Sequence, residues 1–111
     1  MSTTGVLAQS TVTDLDAAQK WYAALLGRGP DATPMPGLLE WHLGEGFGIQ
    51  VWSEPDRAGR CSTVLSESDL DAAAERLAAA GVAHDGPEQA SSSRILRLSD
   101  PDGNRVVLVG V

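Results

Sequence analysis

The chain has 111 residues, of which 42% are apolar and 21% charged, and it carries a formal net charge of −7. That length suits a single domain with a modest core. No run approaches the roughly 18 apolar residues of a membrane span, and the clustered Lys and Arg that nucleic acid demands are absent.

In chain order, Val6–Val12 reads as a first strand. Thr13 or Asp14 then caps a helix, with Asp14 and Asp16 favourable at its positive end. Leu15, Ala18, Tyr22, Leu25 and Leu26 fall on one face of that helix, and Gly27 with Gly29-Pro30 ends it. Asp31–Gly37, rich in Pro and Gly, reads as a loop. Leu38–Leu43 and Phe47–Trp52 form a hairpin around Gly44-Glu45-Gly46. These glycines lack the GxGxxG spacing, and no helix follows them, so they are not a phosphate loop. Ser53–Arg60 is a polar linker. Cys61–Ser66 is the next strand, and Ser68 caps a second helix with Leu70, Ala73, Ala74 and Leu77 on its buried face, closed by Gly81. A short strand near Val82–His84 leads to the loop Asp85–Ser93. Arg94–Leu98 and Arg105–Val109 then form a hairpin through Ser99–Asn104, where Pro101, Gly103 and Asn104 supply the turn.

The pentapeptide DLDAA occurs at Asp14–Ala18 and again at Asp69–Ala73, an offset of 55 residues. Leu15 and Leu70 each have an apolar residue seven positions on, Tyr22 and Leu77. One supersecondary unit is therefore used twice, in an α+β chain whose helices cover one sheet face and leave the other free. Module one spans about residues 1–53, the linker 53–60 and module two 61–111, within one domain.

A strand, a helix with a DLDAA start, and Asp100-Pro101-Asp102-Gly103-Asn104-Arg105 leading into a closing strand together resemble the vicinal oxygen chelate superfamily. Its members include glyoxalases, bleomycin-resistance proteins and extradiol dioxygenases. The likeness runs from Val6 to Val109. It implies two βαβββ modules curled around a shared cup, which in the family's enzymes holds a divalent metal on four strand positions. Carried onto this chain, those positions are Leu7, Gln50, Ser62 and Val107. Leucine, valine, serine and glutamine are not the imidazole, thiolate or carboxylate donors a transition metal needs, and a one-residue slip to Ala8, Cys61 or Val106 supplies no better set. The expectation is a retained fold with no metal and no other cofactor, and no residue is assigned a catalytic role.

Alternation puts Leu7, Gln9, Gln50, Trp52, Ser62, Val64, Arg105, Val107 and Val109 on the cup-facing side. That lining is largely apolar, with neutral hydrogen-bonding groups and one cation, and it suits a planar organic ligand stacked on Trp52. The plainer reading of Trp52 is a filler of a cup that has lost its metal. Trp41, on the neighbouring strand, and His42 complete the candidate ligand-binding set. Glu40 and His42 share a face, as a general base or metal pair or as a solvent-facing pair. Arg105 reaches either a ligand carboxylate or the local Asp100 or Asp102, and the local partners are preferred. Cys61 reads as a structural thiol rather than a nucleophile, His84 as a surface residue, and Trp21 as a core or dimer contact.

The expected function is sequestration of a small aromatic or apolar compound, the acidic surface favouring a cationic one. The alternative is an enzyme of the same superfamily, a lyase, dioxygenase or isomerase with an atypical site. A homodimer is expected from exposed strand edges. The single cysteine and an N-terminal MSTTGVLAQS without a basic start followed by an apolar run lead to an expectation of a cytoplasmic protein.

Overall fold

The computed structural model describes residues 2–110. Its elements are β1 (Val6–Val12), α1 (Leu15–Leu26), β2 (Ala32–Met35), β3 (Leu38–Gly44), β4 (Phe47–Ser53), β5 (Ser62–Glu67), α2 (Leu70–Ala79), β6 (Glu88–Gln89), β7 (Arg94–Ser99) and β8 (Arg105–Gly110), with one 3₁₀ turn at Pro55–Arg57. They form two four-stranded sheets of the same order, β1-β4-β3-β2 and β5-β8-β7-β6. In each, the first strand lies parallel to the last and the remaining pairs are antiparallel. The duplicated sequence therefore gives duplicated topology. The sheets do not close into a barrel.

Period-two alternation decides which side of each sheet is buried. In the first, Val12, Leu39, Trp41, Ile49 and Val51 face α1, while in the second Leu96, Leu98, Val106 and Leu108 lie on the helix side. Ala18, Tyr22 and Leu25 of α1 join Leu70, Ala73, Ala74 and Leu77 of α2 in one core that draws on both halves. Arg76 of α2 fastens the helices together, donating to the C-terminal carbonyls of Ala24 and Leu25 at 3.0 and 2.8 Å. No helix among the described residues is long and apolar enough to cross a membrane.

Several local expectations need correction. Asp14 and Asp69, not Ser68, are the N-caps, accepting from the Ala17 and Ala72 amides at 3.2 and 3.1 Å. A carboxylate at this position also complements the helix dipole, which a serine hydroxyl does not. The segment read as the loop Asp31–Gly37 contains β2, which pairs with β3 at Ala32↔Glu40 and Met35↔Leu38 around a bulge; Pro34 sits on this edge strand, where a missing amide is tolerated. Val82–His84 is not a strand. The pairing goes instead to Glu88–Gln89, against Ile95 and Arg94. Val82 is buried, while His84 is half-buried, its Nε2 donating to the Ala74 carbonyl and its Nδ1 accepting the Gly86 amide. The histidine therefore staples a loop to α2 rather than sitting free at a strand end.

Asp100 and Asn104, within the DPDGN turn, lie inside the protein at 4% and 0% exposure. Asp100 accepts from the Tyr22 hydroxyl at 2.8 Å, from the amides of Asp102 and Asn104, and from Asn104 Nδ2. Asn104 in turn donates to the Thr11 carbonyl and accepts from the Cys61 amide at 2.9 Å. Asp102 accepts both the amide and the hydroxyl of Thr13. The turn of the second module thereby grips β1, α1 and the inter-module linker at once. Burial, above all, holds the Tyr22 hydroxyl far above the ordinary phenol range; the Asp100 charge adds to this, while the Ser10 hydrogen bond opposes it.

Candidate functional site

On the open face of the first sheet, Gln9, Gln50 and Glu40 occupy one row, at the register Gln9↔Gln50↔Glu40. Their side chains are joined: Gln9 Nε2 donates to Gln50 Oε1 at 3.1 Å, and Gln50 Nε2 donates to Glu40 Oε2 at 2.6 Å. His42 Nε2 completes the run, 3.0 Å from Glu40 Oε1. A carboxylate can only accept, so this ring nitrogen carries the proton. The hydrogen bond from His42 first, and that from Gln50 second, hold the Glu40 carboxyl below the usual carboxylate range. The result is a fixed anion with defined acceptor directions.

The adjacent row, Thr11↔Trp52↔Leu38↔Met35, is apolar apart from Thr11. With Gln9, Glu54, Arg57 and Cys61 it lines a groove of about 480 Å³. Trp52 is half-buried, its ring backed by Gly37, whose φ of +86° requires glycine and where a Cβ would sit 3.5 Å from the indole. An indole held from behind, with amide groups on one flank, is a stacking platform.

The expected set is only partly brought together. Gln9, Gln50 and Trp52 are neighbours in and beside this groove. Leu7 and His42 line a separate depression of about 650 Å³ with Val6 and Phe47. Ser62 and Arg105 line a third, of about 280 Å³, and Val107 is half-buried on β8. Trp41 lies on the opposite side of β3, fully buried, its indole N–H donated to the Arg28 carbonyl at 2.9 Å. Strand alternation, which separates it from Glu40 and His42, removes it from any open face. The pairing of Arg105 with Asp100 or Asp102 is not formed; those carboxylates accept from Tyr22, Asn104, Thr13 and backbone amides.

Thr11, Met35, Leu38 and Arg57 were not among the expected site residues. Leu38 was legible, since it alternates with Glu40 and His42. Met35 depends on β2, which its Pro-rich sequence concealed. Arg57 rests on the 3₁₀ turn of the linker, which carries no periodic signal.

The four positions that hold metal in the family's enzymes carry no fitting donor set here. Leu7 and Val107 have no donor atom, and Gln50 already spends its amide on Gln9 and Glu40. Among the described residues no three His, Cys, Asp or Glu side chains stand close enough to share an ion.

Residues 6–109 match the family model of the glyoxalase-like domain. Among solved structures, the chain is 31% identical to a glyoxalase/bleomycin resistance protein from Catenulispora acidiphila, with a TM-score of 0.89 over 97% of this chain and 98% of that one. It is 27% identical to TnmS3, an antibiotic binding protein from Streptomyces sp., with a TM-score of 0.77 over 99% and 98% of the two chains. A bleomycin-binding protein in complex with bleomycin shares its fold at 20% identity, with a TM-score of 0.80 over 96% of this chain and 97% of that one. No curated protein matches significantly. With the same duplicated module, open face and chain-long match, this chain belongs to the glyoxalase-like domain family of the vicinal oxygen chelate superfamily.

Proposed function

We propose that this protein binds a small planar organic molecule, without a metal, against Trp52 on the open face of its first sheet. The observation that carries the reading is the pairing of two rows: an apolar one through Trp52, Leu38 and Met35, and a hydrogen-bonded one through Gln9, Gln50 and Glu40. Stacking supplies affinity, and the ordered amides supply orientation. Glu40, kept ionised by its neighbours, favours a cationic or hydrogen-bond-donating edge on the ligand. The likeness to proteins that bind antibiotics supports the same class of ligand.

Titration with planar cationic drugs, bleomycin among them, followed by tryptophan fluorescence, tests the reading. Quenching is expected in the native chain and is absent in Trp52→Phe. No change in emission across the panel would remove the proposal. The pH dependence has a definite sign. A carboxyl held below its ordinary value of 4.5 stays charged as pH falls through that value, so affinity for a cation is flat from neutral pH to about 4.5 and drops only below it. An affinity that declines between pH 7 and 5 would assign the interaction to another group.

An enzyme working through Glu40 and His42 is the competing reading, favoured by their contact. Metal analysis of protein purified without chelator separates the two, since a stoichiometric divalent ion would displace the binding-protein reading. Val6, Leu7, Phe47 and Val64 leave 70%, 40%, 54% and 64% of their surface exposed, which supports a homodimer that covers them. Light scattering of the native chain and of Phe47→Asp/Val64→Asp tests this, with a dimer expected for the first and a monomer for the second.

A further inference from the structure

The protein is acidic, and half of its eight Lys and Arg side chains are already engaged. Arg28, Arg94 and Arg97 pair with Asp31, Asp71 and Glu88, and Arg76 is spent on helix carbonyls. Among the described residues Lys20, Arg57, Arg60 and Arg105 have no side-chain partner. Three of these four cations line two depressions that share Cys61. Arg60 and Arg105 line the small depression with Ser62, Arg57 lines the Trp52 groove, and Cys61 lines both.

The arrangement is built by backbone constraints. Gly59, at φ +84°, lies so close to the Asp102 carbonyl that a Cβ would stand 2.5 Å from it. Asn104 accepts the Cys61 amide, the Arg105 amide donates to the Cys61 carbonyl, and Ser62 is registered on Arg105. These contacts hold the linker against the β7–β8 turn and place Arg60 on the same rim as Arg105. Asp100 and Asp102 keep their charge, since Tyr22, Asn104 and Thr13 are neutral donors, but neither forms an ion pair with Arg60 or Arg105 among the described residues. Two unpaired guanidiniums held on one rim repel each other and are relieved by a shared anion, which their planar forks bind bidentately.

We infer that the depression formed by Arg60, Ser62 and Arg105 is a subsite for an acidic group, carboxylate or phosphate, carried by the same planar molecule that lies on Trp52. The inference deepens the groove reading and rests on it. It predicts an amphoteric ligand, with its aromatic body in the groove, a cationic or hydrogen-bond-donating edge towards Glu40 and its acidic end beyond Cys61.

Calorimetric titration with naphthylmethanol, naphthoate and naphthyl phosphate tests it on the full chain. On the native protein at low salt at least one of the two anions is expected to bind roughly tenfold more tightly than the alcohol, and the tighter one identifies the acid. The preference shrinks to about twofold or less in Arg60→Gln/Arg105→Gln and falls as salt is raised. Equal affinity of alcohol and anions for the native chain overturns the subsite while leaving the groove reading intact. An unchanged preference in the double variant does the same. If none of the three probes binds, the groove reading falls. The subsite is then judged by inorganic phosphate alone: heat of binding to the native chain that is missing in the double variant sustains an independent anion site, and its absence in both removes it.

Discussion

The β3–β4 hairpin of the first module turns through Gly44-Glu45-Gly46, all exposed, whereas the β7–β8 hairpin of the second turns through Asp100–Asn104 into the protein. The flanking strands, their order and the helix that precedes them are alike. One copy of the turn therefore ends a hairpin, and the other locks the two modules through Tyr22, Thr11, Thr13 and Cys61. The open faces diverge as well. The first carries an indole and a chain of amides, the second Ser62, Val64 and Arg105. A duplicated scaffold needs its two copies to agree where they build the core, and it acquires a site where they stop agreeing.

The sharpest way to break this division is to compare the two tryptophans of the first hairpin, which alternation assigns to opposite sides. Trp41→Ala empties a fully buried position and is expected to cost about 4 kcal/mol in urea denaturation. Trp52→Ala, half-buried on the open face, should cost about 1 kcal/mol while lowering affinity for a planar ligand roughly tenfold or more. Similar stability losses for both would mean that Trp52 is a core residue and the open face is not a platform.

The two turns give the next contrast. Asp100→Ala strands the buried Asn104 amide and the Asp102 amide and removes one partner each from the Tyr22 hydroxyl and Asn104 Nδ2, so a loss of about 3 kcal/mol is expected. Glu45→Ala, in the exposed turn of the first hairpin, should stay within about 0.5 kcal/mol. Equal effects would deny the second turn its locking role.

Tyr22 reports the same lock through pH, and it is the only tyrosine in the chain. Its folded-state pKa is raised, so the stability it contributes is complete below the unfolded value of about 10 and is lost as pH rises above it, because only the unfolded chain gives up the proton there. Tyrosinate absorbance should therefore appear together with loss of circular dichroism. Tyrosinate forming near pH 10 in a fully folded chain would contradict the buried network. Tyr22→Phe should cost about 1 kcal/mol at neutral pH and flatten the alkaline decline.

Much of the scaffold was legible because period and repeat report on burial directly. The DLDAA copies located both helices, and alternation put Gln9, Gln50 and Trp52 beside one another. The failures share a cause. Pro34 hid β2, Val82 is buried without pairing, and the partners of Asp100 and Asp102 lie 78 and 89 residues away in Tyr22 and Thr13. Local pattern carries no information about such contacts. Local logic assigns Arg105 to its own turn, whereas the turn's carboxylates bond Tyr22 and Thr13. The groove was likewise half-visible: its strand residues follow from alternation, whereas Arg57 depends on how an irregular linker folds back.

The smallest effect concerns the repeat itself. Asp14 and Asp69 cap their helices with the same geometry, each accepting the amide three residues on. Alanine at either position should therefore cost about 1 kcal/mol, and the two losses should add, since the caps lie on separate helices. Ser68→Ala is the internal control. Its hydroxyl was the capping group suggested by sequence, but Asp69 has taken that role, so its removal should change stability by less than about 0.5 kcal/mol. A Ser68→Ala loss equal to that of Asp69→Ala would mean that the hydroxyl shares the cap in solution, and that the two helix starts are less alike than their common pentapeptide implies.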